Sequence, residues 1–341
     1  MRVTKKQLVF FAFIVIASYL LVTYKLPFYI YKPGGADALN PIVEVEGGYS
    51  SEGDMHLVTV RGGQATPIQY IWATLLPHHE ILPLSQVRPE GISEDEYFHA
   101  QLKVMESSQE AATVVAYEAA NQNITIDYEG VYVVSVVENM PAEGILEAGD
   151  QIIAIDGETV EQADDLISNI DEKAPGDKVK LTIIRNGEET QKEVSLEEFA
   201  DSDNQIGMGI SLVTDRSVTV NPKVNFSSGN IGGPSAGLMF ALEIYDQLIE
   251  SDLTKGYEIA GTGEVDYNGN VLRIGGIDKK VIAADKEECD IFFAPNEGGA
   301  TDSNYSLAKE TAEEIGTEMK IVPVDTFDDA LNYLESLSKK S

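Results

Sequence analysis

The pattern of hydrophobic and polar positions changes along the chain, and each pattern predicts a different kind of element. Residues 8–24 form an uncharged apolar run of 17 residues, close to the minimum length of a membrane-crossing helix. Residues 54–86 alternate between apolar and polar positions and predict strands, as at 55–60 and 69–73. Residues 94–120 follow a helical period. The apolar side chains of this helix share one face: Leu102, Met105, Ala112, Val115 and Ala119.

After residue 204 the pattern alternates between short apolar strands and amphipathic helices. The strands are predicted at 218–224, 258–266, 290–294 and 320–324, and the helices at 234–250, 279–287, 306–315 and 326–337. Strands and helices that alternate in this way indicate an α+β or α/β fold rather than a helical bundle.

Composition and charge exclude several classes of protein. With 43% hydrophobic residues over 341 positions, the chain is long enough and apolar enough for two folded domains. It carries 57 acidic against 24 basic side chains. Nucleic acid is therefore a poor partner, because its phosphates bind Lys and Arg. We expect the acidic side chains to form a solvated surface. A single cysteine, Cys289, rules out an intrachain disulfide.

No cofactor is predicted. The histidine pair in Pro77-His78-His79-Glu80 lacks the second spaced histidine of a zinc-protease helix, so no metal site is predicted. The sequence contains no Gly-Lys dipeptide, and therefore no phosphate-binding loop of the ATPase type.

The apolar run near the N-terminus is predicted to anchor the chain in a membrane. Lys5 and Lys6 precede it, and positively charged flanks stay on the cytoplasmic side, so the body of the protein would lie outside the cell. A cleaved signal peptide is the alternative, but the bulky residues 24–29 do not resemble a small-residue cleavage site. We therefore assign 1–32 to a cytoplasmic stub and transmembrane anchor, and 33–50 to a linker. The residues expected in an interfacial aromatic belt are Tyr24, Phe28, Tyr29 and Tyr31.

A serine at the start of a predicted helix and a lysine downstream are candidates for a nucleophile and its base. Ser235 lies in Gly-Gly-Pro-Ser-Ala-Gly, and a neutral serine hydroxyl needs a neighbouring base. No histidine follows His99, which disfavours the Gly-x-Ser-x-Gly elbow of the α/β-hydrolases. A buried lysine such as Lys280 can lose its proton near neutral pH. Lys279 and Lys286 are expected on the solvated face of the same helix. The alternative is a serine that only caps its helix.

Three segments resemble the proteolytic domain of Lon proteases in residue type, order and spacing: Gly233-Pro234-Ser235-Ala236-Gly237, Thr262-Gly263-Glu264 and Gly275-Gly276-Ile277-Asp278-Lys279-Lys280. The resemblance implies that Ser235 is the nucleophile, that Lys280 is the general base and that Thr262 holds the lysine. The backbone amides of Ser235 and Ala236 at the helix N-terminus would meet the oxyanion. Gly232 departs from the family, which usually has an acidic residue two places before the proline.

Residues 130–160 resemble a PDZ domain of the kind attached to bacterial proteases. The resemblance rests on a strand entered through glycine and on the run Pro-Ala-x-Gly-x-Leu-x-x-Gly-Asp-x-Ile at 141–152. It implies a groove between the strand 131–136 and a helix near 162–170, where a peptide would add as an extra strand. The residues expected to form this groove are Gly130, Val131, Tyr132, Val133, Leu166 and Ile170. The alternative is a PDZ domain that serves only as a packing element.

The segment 101–112 looks like the long helix that opens the Lon proteolytic fold, so the PDZ domain is predicted to be inserted into that fold. The expected architecture is α+β, with a Lon-type proteolytic domain in two parts, 51–122 and 203–341, an inserted PDZ domain at 123–199 and a transmembrane helix. The expected function is that of an ATP-independent, membrane-anchored serine endopeptidase that cleaves membrane-attached or envelope proteins. The alternative is a catalytically inactive PDZ scaffold at the cell surface. The sequence leaves assembly into a homo-oligomer open.

Overall fold

A computed structural model describes residues 4–88, 91–199 and 205–340. A short 3₁₀ turn lies at Glu297–Gly299. The helices, in chain order, are α1 Lys5–Thr23, α2 Pro67–Leu75, α3 Leu84–Val87, α4 Glu94–Ala119, α5 Ala163–Asp171, α6 Gly237–Leu248, α7 Ile277–Lys286, α8 Asn304–Ile315 and α9 Phe327–Ser336.

The strands fall into three groups along the chain. Those before α4 are β1 Phe28–Ala38, β2 Val43–Val45, β3 Met55–Gln64 and β4 Glu80–Pro83. Those between α4 and residue 222 are β5 Asn123–Val136, β6 Gln151–Ile155, β7 Glu158–Thr159, β8 Lys178–Arg185, β9 Glu188–Ser195, β10 Glu197–Glu198, β11 Ile206–Gly207 and β12 Ile210–Asn221. Those that follow are β13 Val224–Phe226, β14 Ile259–Gly261, β15 Glu264–Val265, β16 Val271–Leu272, β17 Ile291–Pro295 and β18 Lys320–Val324.

The chain forms two compact units, and the second is inserted in the sequence of the first. Unit 1 consists of Met1–Ala120 together with Val224–Ser341, and unit 2 of Asn121–Lys223. Each unit packs helices on a sheet, so the predicted α+β class is confirmed.

Unit 1 is built on a six-stranded sheet with the order β18-β17-β14-β3-β1-β4. The strands from β18 to β3 are parallel, and β1 and β4 continue the sheet antiparallel. Helix α7 packs on the sheet through Val281, against Ala260 and Phe292. Helix α6 is buried along almost its whole length, and α4 packs against it. The candidate functional residues therefore lie on elements that the core of unit 1 holds.

The segment predicted as a linker, 33–50, belongs instead to the fold of unit 1. It contains most of β1, which pairs with β3, and all of β2, which pairs with β13. Gly34 explains the error. A Cβ at this residue would lie 2.4 Å from the carbonyl oxygen of Thr59. Glycine here permits a close approach of β1 and β3 at an irregularity in their register, and does not mark flexible chain.

Three of the four aromatic residues predicted for the membrane interface also belong to β1. The ring of Phe28 packs on Tyr70 with centroids 5.0 Å apart, and Tyr29 packs on Tyr31 at 4.9 Å. Tyr24 directly follows α1 and is exposed. The apolar helix ends at Thr23, earlier than residue 32, the predicted end of the anchor.

The strand predicted at 69–73 is the helix α2. Thr66 precedes the helix, and its amide donates to the Gln69 side chain at 2.9 Å, as in a capping box. Pro67 occupies the first turn, where its missing N–H costs nothing. The alternation over five residues was too short to separate a strand from a helix.

Unit 2 is a sheet with the order β12-β5-β6-β8-β9, with β7 beside β6 and α5 packed on the same core. Strand β12 starts at Ile210, earlier than the predicted 218, and pairs with β5 along its whole length. Unit 2 therefore ends at Lys223, which corrects the predicted end at 199. That boundary adjoined residues 200–204, which lie outside the described residues.

Helix α1 exposes its apolar side chains along its whole length. Among the described residues it is the one helix long and apolar enough to cross a membrane, with a mean hydropathy of 1.9. Signal sequences pass the same test of length and composition.

The pairing of β5 with β12 brings the two ends of unit 2 together, because Asn123 and Asn221 face each other at the base of the ladder. Facing Cα atoms lie about 5 Å apart, a gap that a short Gly/Ser bridge can span. We expect unit 1 to stay folded when such a bridge replaces residues 121–223. The matched deletion of 124–198 should aggregate, because it leaves β12 without β5. Circular dichroism and thermal unfolding compare the two variants. Loss of cooperative unfolding in the first would show that unit 1 needs unit 2 to fold.

Candidate active site

The candidate nucleophile lies in a tight loop that leads into α6. Ala236 is the N-cap of this helix, so the helix starts three residues later than predicted, at Gly237. Gly233 has a φ of +92°, a conformation that favours glycine and that turns the chain before Ser235. A Cβ at Gly237 would lie 2.9 Å from the Ser108 hydroxyl of α4, so glycine is needed where the loop meets that helix.

Lys280 reaches this loop from the first turn of α7. Gly276 caps the helix in the left-handed conformation, with a φ of 71°, and accepts a hydrogen bond from the Lys280 amide. The Lys280 side chain is 3% exposed, and its Nζ lies 2.5 Å from Ser235 Oγ. At this distance the serine hydroxyl can donate its proton to the lone pair of a neutral amine.

Thr262 connects the serine and the lysine. It lies between β14 and β15, fully buried, and its amide donates to the Phe293 carbonyl at 3.0 Å. Its hydroxyl donates to the Ser235 carbonyl at 2.8 Å and accepts from Lys280 Nζ at 2.9 Å. Since a hydroxyl has one proton, the first bond leaves its oxygen lone pairs to face the lysine. The amide of Gly263 gives the Ser235 carbonyl a second donor at 3.0 Å.

Helix α4 holds the loop from the other side. Ser108 donates from its hydroxyl to the Pro234 carbonyl at 2.8 Å, and the Gln101 carbonyl accepts from the Gly233 amide at 2.9 Å. Neither residue was among the predicted site residues. The sequence signal that could have indicated this contact is the small size of the residues on the buried face of α4, which include Ser108, Ala111 and Ala112.

Two family models match the chain. Residues 215–336 match the Lon protease (S16) C-terminal proteolytic domain, and residues 101–196 match the PDZ domain. The chain thus contains a Lon-type proteolytic domain and a PDZ domain. Both predicted resemblances are confirmed. The PDZ match begins inside α4, whereas unit 2 begins at Asn121.

The curated relatives are Lon proteases. The chain is 35% identical to the Lon protease of Campylobacter jejuni over 130 residues, which are 35% of this chain and 16% of that protein. It is 34% identical to the Lon protease of Malacoplasma penetrans over 164 residues, 47% of this chain and 20% of that protein. The match therefore spans a fifth or less of these relatives.

Among solved structures, the chain is similar to the PDZ domain of an SdrC-like protein from Listeria monocytogenes. The identity is 37%, over 25% of this chain and 90% of that one, with a TM-score of 0.24. A solution structure from Geobacillus thermodenitrificans is 46% identical over 24% of this chain and 95% of its own, with a TM-score of 0.23.

The backbone amides of Ser235 and Ala236 stand at the N-terminus of α6 in the Lon-type domain. The neighbouring amides have partners: Gly237 donates to Pro234, and Leu238 donates to Gly263. Across the described residues, the amides of Ser235 and Ala236 donate to no acceptor. Two adjacent free amides at a helix N-terminus can stabilise a developing oxyanion.

Gly232 stands where the resemblance to the Lon proteolytic domain predicts an acidic residue. A Cβ at this position would lie 2.8 Å from the Cβ of Gln101 and 3.2 Å from its carbonyl carbon. Helix α4 therefore leaves no room for a carboxylate side chain at Gly232. The backbone carbonyl of Gln101 holds the loop in this region.

The two adjacent lysines of α7 have opposite surroundings. Lys279 was predicted to be solvated, but it is buried and its Nζ lies 2.9 Å from Glu80 and 3.1 Å from Asp278. For Lys280 the structure shows no carboxylate partner in the described part of the chain. Burial without a counter-ion lowers the pKa of the Lys280 amine to about 7, from an ordinary value of 10.5. Its neutral form is thus available near neutral pH.

Two buried carboxylates stand further along α6. Burial raises the pKa of Glu243 to about 7, and it also raises the pKa of Asp246. The Gln247 side chain donates to Glu243 at 2.7 Å and to the Val43 carbonyl at 2.9 Å, and it accepts from the Val45 amide at 2.8 Å. These bonds connect α6 to β2. They fix the position of the helix that follows the nucleophile loop, residues 232–236.

The peptide groove predicted in the PDZ domain does not lie at β5. The sheet pairs Val131 with Thr214 of β12 on one side and with Ile152 of β6 on the other. Val133 exchanges backbone hydrogen bonds with the loop that contains Gly149. The side chains predicted to line the groove are in the hydrophobic core instead: Val131, Val133, Leu166 and Ile170. Gly130 and Tyr132 lie on the same interior strand.

The edge strand next to α5 is β12. It ends the order of the sheet, and the two elements are joined where the Ala163 amide donates to the Thr214 hydroxyl at 3.0 Å. Strand β12 follows a turn at Gly209, which has a φ of +82°. This strand was not predicted because the sequence analysis placed residues 210–217 outside the PDZ domain.

No group of three or more potential metal ligands lies together within the described ranges.

Replacing Lys280 with Met should raise stability near neutral pH. The folded amine has a lower pKa than the unfolded one, so the unfolded chain binds more protons between about pH 7 and 10.5 and wild-type stability rises across this window. The Met variant has no buried amine to deprotonate. Its free energy of unfolding should therefore exceed that of the wild type by on the order of a few kcal/mol at pH 7, and this difference should disappear toward pH 10. Denaturant unfolding at several pH values measures it. Lys286→Met, which changes an exposed lysine of α7, is the control. Equal effects of both substitutions would contradict the uncompensated burial of Lys280.

Proposed function

We propose that this protein is an ATP-independent, membrane-anchored serine endopeptidase with a Ser235–Lys280 dyad. The observation that carries the proposal is the 2.5 Å separation of the Ser235 hydroxyl from a buried amine without a counter-ion. The Lon-type domain supports peptide-bond hydrolysis as the reaction class.

The geometry supports the following sequence of steps. Ser235 Oγ attacks the scissile carbonyl carbon while its proton passes to the neutral Lys280 amine. The amides of Ser235 and Ala236 meet the oxyanion of the tetrahedral intermediate. The Lys280 ammonium then gives its proton to the leaving amine, which departs and leaves an acyl-enzyme. A water molecule attacks this ester with Lys280 again as base, and Ser235 is regenerated. Thr262 keeps the lysine aligned throughout.

Substrate selection is assigned to the PDZ domain, at the edge of β12 and not at β5. An extended peptide that adds to β12 would gain main-chain hydrogen bonds, and the neighbouring helix α5 would provide side-chain contacts. Ile210 and Leu212 on this strand are partly buried hydrophobic residues that pack on the core. We propose substrates that are membrane-attached or envelope proteins, because an anchored enzyme meets such proteins in the same plane.

Membrane anchoring is assigned to α1, with the N-terminus in the cytoplasm and the two units outside the cell. Lys5 and Lys6 lie at the N-terminal end of this helix, on the side that positive charge holds in the cytoplasm. Independence from ATP is proposed because the printed sequence lacks a phosphate-binding loop.

Removing either member of the dyad should abolish hydrolysis. We expect Ser235→Ala and Lys280→Ala each to lower the turnover of a fluorescent unfolded protein substrate by about 10³-fold or more, since dyad members act as a unit.

The rate of the wild-type enzyme should rise with pH through about 7, because only the neutral amine is a base. Added ATP should leave the rate unchanged.

Labelling with a peptidyl boronate, which forms a tetrahedral adduct with an active serine, serves as a second measurement on the same samples. Lys286→Ala is the matched control for the lysine substitution. Equal turnover in wild type and Ser235→Ala would overturn the dyad. A folded wild-type chain that neither hydrolyses nor takes the label, yet binds peptide, would indicate the PDZ scaffold instead.

The peptide-binding edge can be located by photo-crosslinking. A photoreactive residue in place of Ser211, exposed on β12, should crosslink to substrate in the Ser235→Ala background. The same residue in place of Gln191, exposed on the opposite edge strand β9, should give little crosslinking. Mass spectrometry of the adducts measures both yields. Equal yields at the two edges would contradict the assignment of the groove to β12.

A further inference from the structure

Two cations of unit 1 lie directly opposite each other, and no described acidic residue pairs with either. Lys32 of β1 and Arg61 of β3 are cross-strand partners in an antiparallel ladder. Like charges in this arrangement destabilise a sheet. Both side chains are exposed, and within the described ranges neither makes an ion pair. Acidic residues outnumber basic ones by more than two to one in this chain, so the pair indicates a site for an external anion.

The two cations line a cavity of about 670 Å³ that also has apolar side chains in its walls. Ile30 and Ala73 lie at its buried end, and Trp72 and Leu76 of the α2 region form one side. His79 also reaches the cavity and adds a third nitrogen group. A basic rim above an apolar wall matches a ligand with an anionic head and a hydrocarbon body.

Helix α2 presents apolar side chains to the solvent beside this cavity. Trp72 is 56% exposed and Leu75 is 71% exposed, and Ile71 and Leu76 are also exposed. Trp is enriched at membrane interfaces, where its ring is partly in the headgroup layer. The exposed face of α2 therefore has the composition of an interfacial helix.

This face begins where the membrane anchor ends. Helices α1 and α2 are in contact, and the chain just after α1 is tied to the start of α2. The Leu26 amide donates to the Ala65 carbonyl at 2.8 Å, and the Gln64 side chain donates to the Leu26 carbonyl at 2.9 Å.

The cations follow closely after the apolar helix, since Lys32 lies nine residues beyond Thr23, the last residue of α1. The ladder of β1 and β3 begins at the pair Tyr29 and Gln64, and Lys32 and Arg61 are three residues further along. At about 3.4 Å per residue, this places them roughly 10 Å from the first pair of the ladder. The headgroup layer on each side of a bilayer is about 5 to 8 Å thick. Long cationic side chains such as those of Lys32 and Arg61 can extend toward its phosphates.

We propose that this surface binds an anionic phospholipid of the leaflet from which α1 emerges. The phosphate lies between Lys32 and Arg61, an acyl chain lies along Trp72 and Leu76, and α2 rests in the interface. This inference depends on the proposed membrane anchoring through α1, and it does not depend on the dyad.

Trp72 is the single tryptophan of the chain and reports on this site directly. The full-length protein is reconstituted in phosphatidylcholine vesicles that contain a fixed fraction of phosphatidylglycerol. Bromine, which quenches tryptophan fluorescence on contact, is carried on the acyl chains of one lipid or of an equal amount of the other. We expect brominated phosphatidylglycerol to quench Trp72 several-fold more than the same fraction of brominated phosphatidylcholine.

The double substitution Lys32→Gln and Arg61→Gln should remove this difference. The control Lys286→Gln with Lys309→Gln changes the net charge equally at two exposed positions and should keep it. Equal quenching by the two lipids in the wild type would overturn the site. A blue-shifted Trp72 that no lipid quenches, and that depends on protein concentration, would mean that a second copy covers the face.

Alkaline extraction of the same vesicles separates this inference from the anchoring on which it rests. A chain that is extracted would overturn both, whereas an anchored chain with unquenched Trp72 would overturn the lipid site alone. Peptidase activity and thermal unfolding of each variant check that the substitutions leave the fold intact.

Discussion

One buried amine sets the requirements for the rest of the candidate site. The Nζ of Lys280 is out of water and has no described carboxylate beside it, so its charged form is costly. The surrounding elements must provide neutral hydrogen-bonding partners in fixed positions. One partner is the Thr262 hydroxyl, which lies between β14 and β15, and the other is the Ser235 hydroxyl, which lies in the loop before α6. Lys279, one residue away, pairs with Asp278 of the same helix at 3.1 Å, whereas Lys280 has no carboxylate partner among the described residues.

Helix α4 is the second constraint, because it contacts the nucleophile loop through its backbone and through small side chains. Gly232 and Gly237 are the two points at which a larger residue would collide with this helix. The loop is therefore fixed between α4 on one side and the Thr262 segment on the other. The serine needs no movement of these supports to reach the base.

The parts of the site that lie in short continuous motifs could be predicted from the sequence. Ser235, Thr262 and Lys280 are each set by a glycine-containing turn and the residues next to it, and the structure brings them together. The PDZ groove could not be predicted, because β5 becomes an interior strand only through its pairing with β12, some 80 residues away in sequence. Ser108 was missed for the same reason. Its partner, Pro234, follows 126 residues later in the sequence, after the whole of unit 2. The linker predicted around Gly34 was wrong, because this glycine allows β1 to approach Thr59 closely and does not mark flexible chain.

The insertion of unit 2 has a consequence for the order in which the protein is made. A ribosome completes α4 first, then all of unit 2, and only afterwards α6 and α7. Domains that fold as they emerge would give a finished PDZ domain while Ser235 and Lys280 are still absent. Lys280 is the last of the three central side chains to be made, so the candidate site is complete only after α7 leaves the ribosome. The position of unit 2 in the sequence thus means that the candidate site is assembled after the PDZ domain has been made.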